Sequence, residues 1–215
     1  MSDIAIVGGH GQVARLLVPL LLDRGDRPVA LVRRPEHAAD LPGATIRHLD
    51  IESSTVDDFA AVFDGCDAVV FAAGGGPDGN AERKRTVDLE GSLKSIEAAE
   101  RLGIRRFVQV SAMRVDQDPD PSAGPVWAAY VRAKRDADTA LRASTLDWTI
   151  VRPGRLTDEP GTGLVQVGDT VDYGEVPRAD VAAVLAAALA DERTVGRQFE
   201  VVSGTTPVAE ALAAL

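Results

Sequence analysis

Apolar residues fall along the chain in two alternating rhythms. Short runs rich in β-branched residues, at positions 4–7, 28–33, 45–49, 67–72, 105–111, 147–151 and 198–202, read as strands. Longer amphipathic segments between them, at 12–24, 55–63, 82–102, 126–143, 177–190 and 207–215, read as helices. Punctuation agrees with this division. Gly103 stands where a left-handed glycine would end the third helix. Arg152-Pro153-Gly154 stops a strand, and Ser53 or Ser54 is placed to cap the second helix.

Strands that alternate with helices of this length predict βαβ units and a parallel sheet covered on both faces. Right-handed crossovers then make an α/β, Rossmann-type doubly wound fold. No repeat or Pro/Gly/Ser-rich linker divides the chain, so residues 1–215 are expected to form a single domain. Positions of about 152–176 and 203–215 are expected to form a small C-terminal, substrate-side annex. Two irregular stretches, 113–125 and 154–176, follow strands at the edge where such sheets bind ligands, which makes them candidate pocket walls.

The first strand runs into Gly8-Gly9-His10-Gly11-Gln12-Val13-Ala14, which opens a helix. A glycine permits the tight turn, Gly11 lets backbone approach a pyrophosphate, and Ala14 lets the helix pack close. The helix N-terminus adds free N–H groups and partial positive charge. His10 could line the phosphate or only cap the turn. About 20 residues on, where an acid would bind the ribose of NAD, the second strand ends Val32-Arg33-Arg34-Pro35. Arginine can hold a phosphate through paired N–H bonds, so NADP(H) is favoured over NAD(H).

Tyr130 and Lys134 lie four apart on one helix face. The chain carries 20 arginines and 3 lysines, so a lysine at 134 suggests that an ammonium is needed there. Such a pair suits general acid catalysis, with the ammonium lowering the phenol toward working pH. Ser111 ends the preceding strand at the ligand-binding edge, where its hydroxyl could bond a substrate carbonyl.

Composition narrows the classes. The net charge of −10 argues against nucleic acid or anionic lipid as a partner. A single cysteine, Cys66, excludes an internal disulfide, and three histidines scattered at 10, 37 and 48 do not cluster in sequence as metal ligands would, so no metal is expected. The start of the chain lacks a basic n-region, and no 18-residue apolar run occurs, which predicts a cytoplasmic protein, monomer or homodimer, acting on a small molecule.

The glycine turn, Tyr130-x-x-x-Lys134 and Ser111 resemble the short-chain dehydrogenase/reductase superfamily. The chain is most similar to its atypical branch of small NAD(P)H-binding proteins, the NmrA-like and NAD-dependent epimerase/dehydratase type. Val32-Arg33-Arg34-Pro35, Leu49-Asp50, Phe71-Ala72-Ala73-Gly74, Val151-Arg152-Pro153-Gly154 and Pro177-Arg178-Ala179-Asp180 carry the likeness further. The resemblance implies that the glycine turn and Arg33 hold the pyrophosphate and 2′-phosphate, and that Asp50 and Ile51 lie near the adenine. It also implies that Ala72, Ala73 and Gly74 run along the cofactor, with Pro153 beside it and Lys134 on the nicotinamide ribose. Asp88 falls where full-length members carry a catalytic Asn. About 60 residues follow Arg152, too few for a nucleotide-sugar domain, so a sugar-nucleotide epimerase or dehydratase is disfavoured. A small, partly apolar pocket is expected, with Met113, Val115, Trp127, Leu156 and Val165 as candidate lining. Three readings follow: an NADPH-dependent reductase of a small carbonyl or quinone, a non-catalytic NADP(H)-binding sensor of NmrA-like type, and a flavin-type reductase without a protein acid.

Overall fold

A computed structural model of the chain describes residues 1–76 and 79–215. Four apolar runs make strands with almost every residue buried: β1 (Asp3–Val7), β2 (Arg27–Val32), β4 (Ala68–Phe71) and β5 (Arg106–Val110). Such strands need helices on both faces, which is why the runs are continuous rather than alternating. With β3 (Thr45–His48), β6 (Asp147–Pro153) and β10 (Arg197–Ser203), they form a parallel array in the order β10-β6-β5-β4-β1-β2-β3. One face is covered by α1 (Gln12–Asp23) and α6 (Arg178–Ala190), which pack on each other. The other is covered by α2 (Val56–Phe63), α4 (Glu90–Leu102) and α5 (Pro125–Ala143), around Phe59, Phe63, Phe71 and Phe107.

The strand order reverses between β1 and β4, which lie side by side while the intervening β2 and β3 extend the sheet the other way. A crevice must open there above the strand ends.

Four details depart from the expectation. First, α2 is capped by Thr55 rather than Ser53 or Ser54, in a reciprocal capping box with Asp58. Second, the predicted 82–102 helix is three pieces: α3 (Ala81–Arg83), a π-helical turn Lys84–Leu89, and α4, ended by Gly103 at φ 71°. A π turn inside a helix rotates the side chains before it relative to those after it, and often marks a functional site. Third, residues expected in the small C-terminal annex of the single domain extend the central sheet. Thus β8 (Leu164–Gly168) pairs antiparallel with β10 and with β11 (Thr206–Pro207), and α7 (Val208–Ala213) packs on α6 and β8. Fourth, β7 (Arg155–Thr157) and β9 (Glu175–Pro177) make a small ladder at the strand ends. No described helix is long and apolar enough to cross a membrane.

Candidate cofactor cleft and active site

A cleft of about 310 Å³ opens at the reversal point. Its walls are Gly8, His10 and Gly11 after β1, Leu31–Arg33 at the end of β2, Leu49–Glu52 after β3, and Ala72–Gly74 after β4. The glycines are demanded by space. Gly8 has φ 81°, and a Cβ there would lie 2.7 Å from the Ala73 Cα; at Gly9 it would lie 2.9 Å from Leu31 N. Gly11 differs, since a Cβ would meet only Gly8 O at 3.1 Å and Ala72 O at 3.8 Å. Its own side is therefore open, as a phosphate approach requires. No side chain caps α1, so the donors of its first turn point outward beside the cleft.

The far wall is fixed by Lys94, whose Nζ donates to Ile51 O at 2.6 Å and Ser54 O at 2.8 Å. Gly91 allows this approach, for a Cβ would lie 2.5 Å from Ile51 Cγ2. Arg33 lies 3.9 Å from Glu52, and Arg83 lies 3.4 Å from the same carboxylate. His10 Nε2 is 2.7 Å from Asp40 Oδ2, and the imidazoles of His10 and His37 stack with centroids 3.6 Å apart. Nδ1 of His37 is buried without a hydrogen-bond partner. The glycine cradle, the open helix terminus, Arg33 and this orphaned nitrogen together fit a dinucleotide phosphate.

Of the residues expected at the cofactor, Gly8, His10, Gly11, Arg33, Asp50, Ile51, Ala72, Ala73 and Gly74 line this cleft. Gly9 packs against β2, Val13 faces the core, and Pro153 is the buried end of β6. Arg34 is exposed beyond the cleft's walls. Gln12 instead lines a second recess with Arg15, Asp158 and Arg178. His37, Glu52 and Arg83 join the cleft unexpectedly, brought by the turns after β2 and β3 and by the helix after β4.

Beside the cleft, a buried junction joins α5 to the loop after β4. Lys134 Nζ donates to Val110 O at 3.1 Å and Ala73 O at 3.4 Å, and lies 3.3 Å from Asp88 Oδ1. The other Asp88 oxygen accepts from Gly75 N at 2.8 Å. The π turn is what carries Asp88 inward to this point. Burial opposes the charge on Lys134, but Asp88, with Tyr130 and Asp138, together outweigh it and the ammonium is held above its ordinary pKa.

Tyr130 stands one helical turn before Lys134 and packs on Trp127, with Lys84 Nζ 5.8 Å from its ring centre. Burial raises the phenol's pKa above its ordinary value; Lys134 pulls it down only in part, while Asp88 and Asp138 push it up. The shift runs opposite to the lowering expected from the Tyr-Lys spacing, because burial was not visible there. The phenol thus stays protonated through neutral pH, the form an acid must have.

Ser111 Oγ donates to Asp138 Oδ2 at 2.7 Å. Asp138 also accepts from Gln109 Nε2 at 2.8 Å and from Arg152 Nε at 2.9 Å, and Arg152 reaches out to Asp116. A substrate carbonyl would have to displace Asp138 to receive the Ser111 proton. Burial raises the Asp138 carboxyl above its ordinary value, against the pull of Arg152 and of these hydrogen bonds.

On the expected substrate side, buried Glu200 accepts from Arg114 N at 2.9 Å and Val171 N at 3.0 Å, so one carboxylate ties the two irregular stretches together. Met113 packs there with Val171 and Val202. Val165 does not line a pocket: it is fully buried in β8 within the main core. Val115 is buried too, Leu156 packs against the core, and Trp127 is half exposed.

Comparison with known proteins agrees with this geometry. Residues 8–192 match the NAD(P)H-binding family. A Bacillus halodurans structure, provisionally described as an NAD-dependent epimerase/dehydratase, is 40% identical with a TM-score of 0.92, covering 100% of both chains. An uncharacterized sugar epimerase, YhfK of Bacillus subtilis, is 39% identical over 97% of this chain and 98% of its own. A more distant relative, the (4-alkanoyl-5-oxo-2,5-dihydrofuran-3-yl)methyl phosphate reductase of Streptomyces griseus, is 30% identical over 92% of this chain and 67% of its own. The chain belongs to the NAD(P)H-binding family.

Proposed function

We propose that the protein is an NADP(H)-dependent reductase of a small carbonyl or quinone. The observation that carries this reading is the Lys134 ammonium, which bonds the cleft wall at Ala73 O one helical turn from Tyr130. The cofactor cleft and a proton donor are thereby held on one rigid junction. The relative that is named as a reductase supports the class of reaction.

When bound, a reduced nicotinamide supplies hydride to the carbonyl carbon. The chain's residues do the rest. The glycine turn and the first turn of α1 bind the pyrophosphate, and Arg33 binds the 2′-phosphate, releasing its loose contact with Glu52. Lys134, placed by Asp88 at the cleft wall, would hold the ribose hydroxyls. Tyr130 gives its proton to the substrate oxygen and is reprotonated from solvent. Met113 and Trp127 supply apolar contact. Ser111, held by Asp138, keeps the strand end in place.

A second reading, a redox sensor that binds NADP(H) without turnover, is favoured by Asp88, which cannot donate as an amide would. The two readings separate in one experiment. NADPH and NADH are titrated by fluorescence, and aldehydes, ketones and quinones are screened for NADPH oxidation. The reductase predicts tighter NADPH binding and turnover of at least one class. Tight binding with no turnover supports the sensor.

A further inference from the structure

His10 comes from the glycine turn and His37 from the 3-10 turn (Pro35–Asp40) after β2, yet their rings lie face to face, 6° from parallel. Both line the cleft beside Arg33. Two imidazolium rings 3.6 Å apart repel, so the empty stack holds two charges poorly. Asp40 Oδ2 holds the His10 ring at Nε2, 2.7 Å away. Burial, and then the His10 charge, keep His37 below its ordinary pKa. Its Nδ1 has no partner.

Other charges face the pair from every neighbouring element. Arg34, just after β2, opposes protonation of His37, while Glu36 and Asp40 of the 3-10 turn favour it; Arg15 of α1 faces Asp40. Across the cleft, Arg33 and Arg83 are balanced against Asp50 and Glu52.

We propose that the His10–His37 stack, with Arg33, receives the 2′-phosphate of NADP(H) and takes up a proton as it does so, which makes cofactor choice depend on pH. The inference rests on the NADP(H) reading of the cleft and adds a titrating group to it. A phosphate dianion in the cleft beside the two rings offsets the repulsion within the stack, so the bound state favours imidazolium. NADH has no 2′-phosphate and leaves the stack as it is. Between pH 8.5 and 6.5 the preference for NADPH over NADH should therefore rise about tenfold. Below about pH 6 the phosphate itself protonates and the gain ends.

Calorimetric titration in two phosphate-free buffers of different ionisation enthalpy, at pH 7, reads the proton directly. The expected result is an uptake of roughly half a proton per NADPH and none with NADH. His37→Asn keeps a donor near the Nδ1 position but cannot titrate, so it should abolish the proton uptake that accompanies NADPH binding. Tighter NADPH binding with no uptake overturns this inference and leaves the cofactor reading standing. Equal affinity for the two cofactors overturns both. Equal uptake with NADH, or uptake that persists in His37→Asn, places the proton elsewhere and overturns the role of the stack.

Discussion

Asp88 and Lys134 oppose each other 3.3 Å apart with almost none of either side chain exposed. Asp88→Asn would leave the ammonium buried against two carbonyls. At pH 7 this should destabilise the fold by about 3–5 kcal/mol, the usual result of removing one partner of a buried pair. The sign with pH follows from the raised Lys134 pKa. Its stabilising contribution is fully present below the unfolded lysine value of about 10.4 and is lost as pH rises through the higher folded value. Urea unfolding of parent and variant should thus show a deficit at pH 7 that shrinks in strongly alkaline solution.

Arg152 holds Asp138 from one side and Asp116 from the other. Arg152→Met should destabilise by about 3–5 kcal/mol by stranding the Asp138 carboxylate. Adding Asp138→Asn should recover part of that loss, because the stranded charge is removed. A double-mutant cycle by denaturant unfolding checks this; strict additivity would mean the two residues do not act as a pair.

The glycines of the turn should separate folding from binding. Gly8→Ala adds a Cβ at φ 81° and 2.7 Å from the Ala73 Cα, so it should lower stability by about 1–3 kcal/mol or more. Gly11→Val puts its bulk on the open side of the turn. It should abolish NADPH binding while unfolding stays cooperative. Fluorescence titration beside thermal unfolding distinguishes the two outcomes.

Much of this was legible in the chain. The central strands β1, β2, β4 and β5 are buried on both faces, so their apolar runs stand out without a partner to interpret them. The glycine turn is local, and nine of the residues expected at the cofactor do meet around one cleft. What escaped detection is set by distant neighbours. Strands β8 and β11 are short and take their partners from distant parts of the chain, so 164–168 looked like loop. The π turn has no local signature, and it alone brings Asp88 to Lys134. His10 and His37 are 27 positions apart in sequence and meet only when the turn after β2 folds over the glycine loop. Thr55-x-x-Asp58 was a readable signal for the cap of α2, obscured by the serines just before it.

The raised pKa of Tyr130 carries a pH consequence for a phenol that acts as an acid. Turnover should not fall between pH 6 and 9 through loss of its proton. A log kcat profile that drops with a midpoint near neutrality would show that some other group limits the reaction.

The account rests most directly on proton donation by Tyr130, and Tyr130→Phe tests it. On whichever carbonyl or quinone the parent reduces, kcat should fall by about 10²–10⁴, the usual contribution of a general acid. NADPH affinity, measured in parallel, should stay within about twofold of the parent, because the phenol meets the substrate rather than the phosphates. Turnover that survives the substitution unchanged would contradict the account, leaving Tyr130 a packing partner of Trp127 and the reduction without a protein acid.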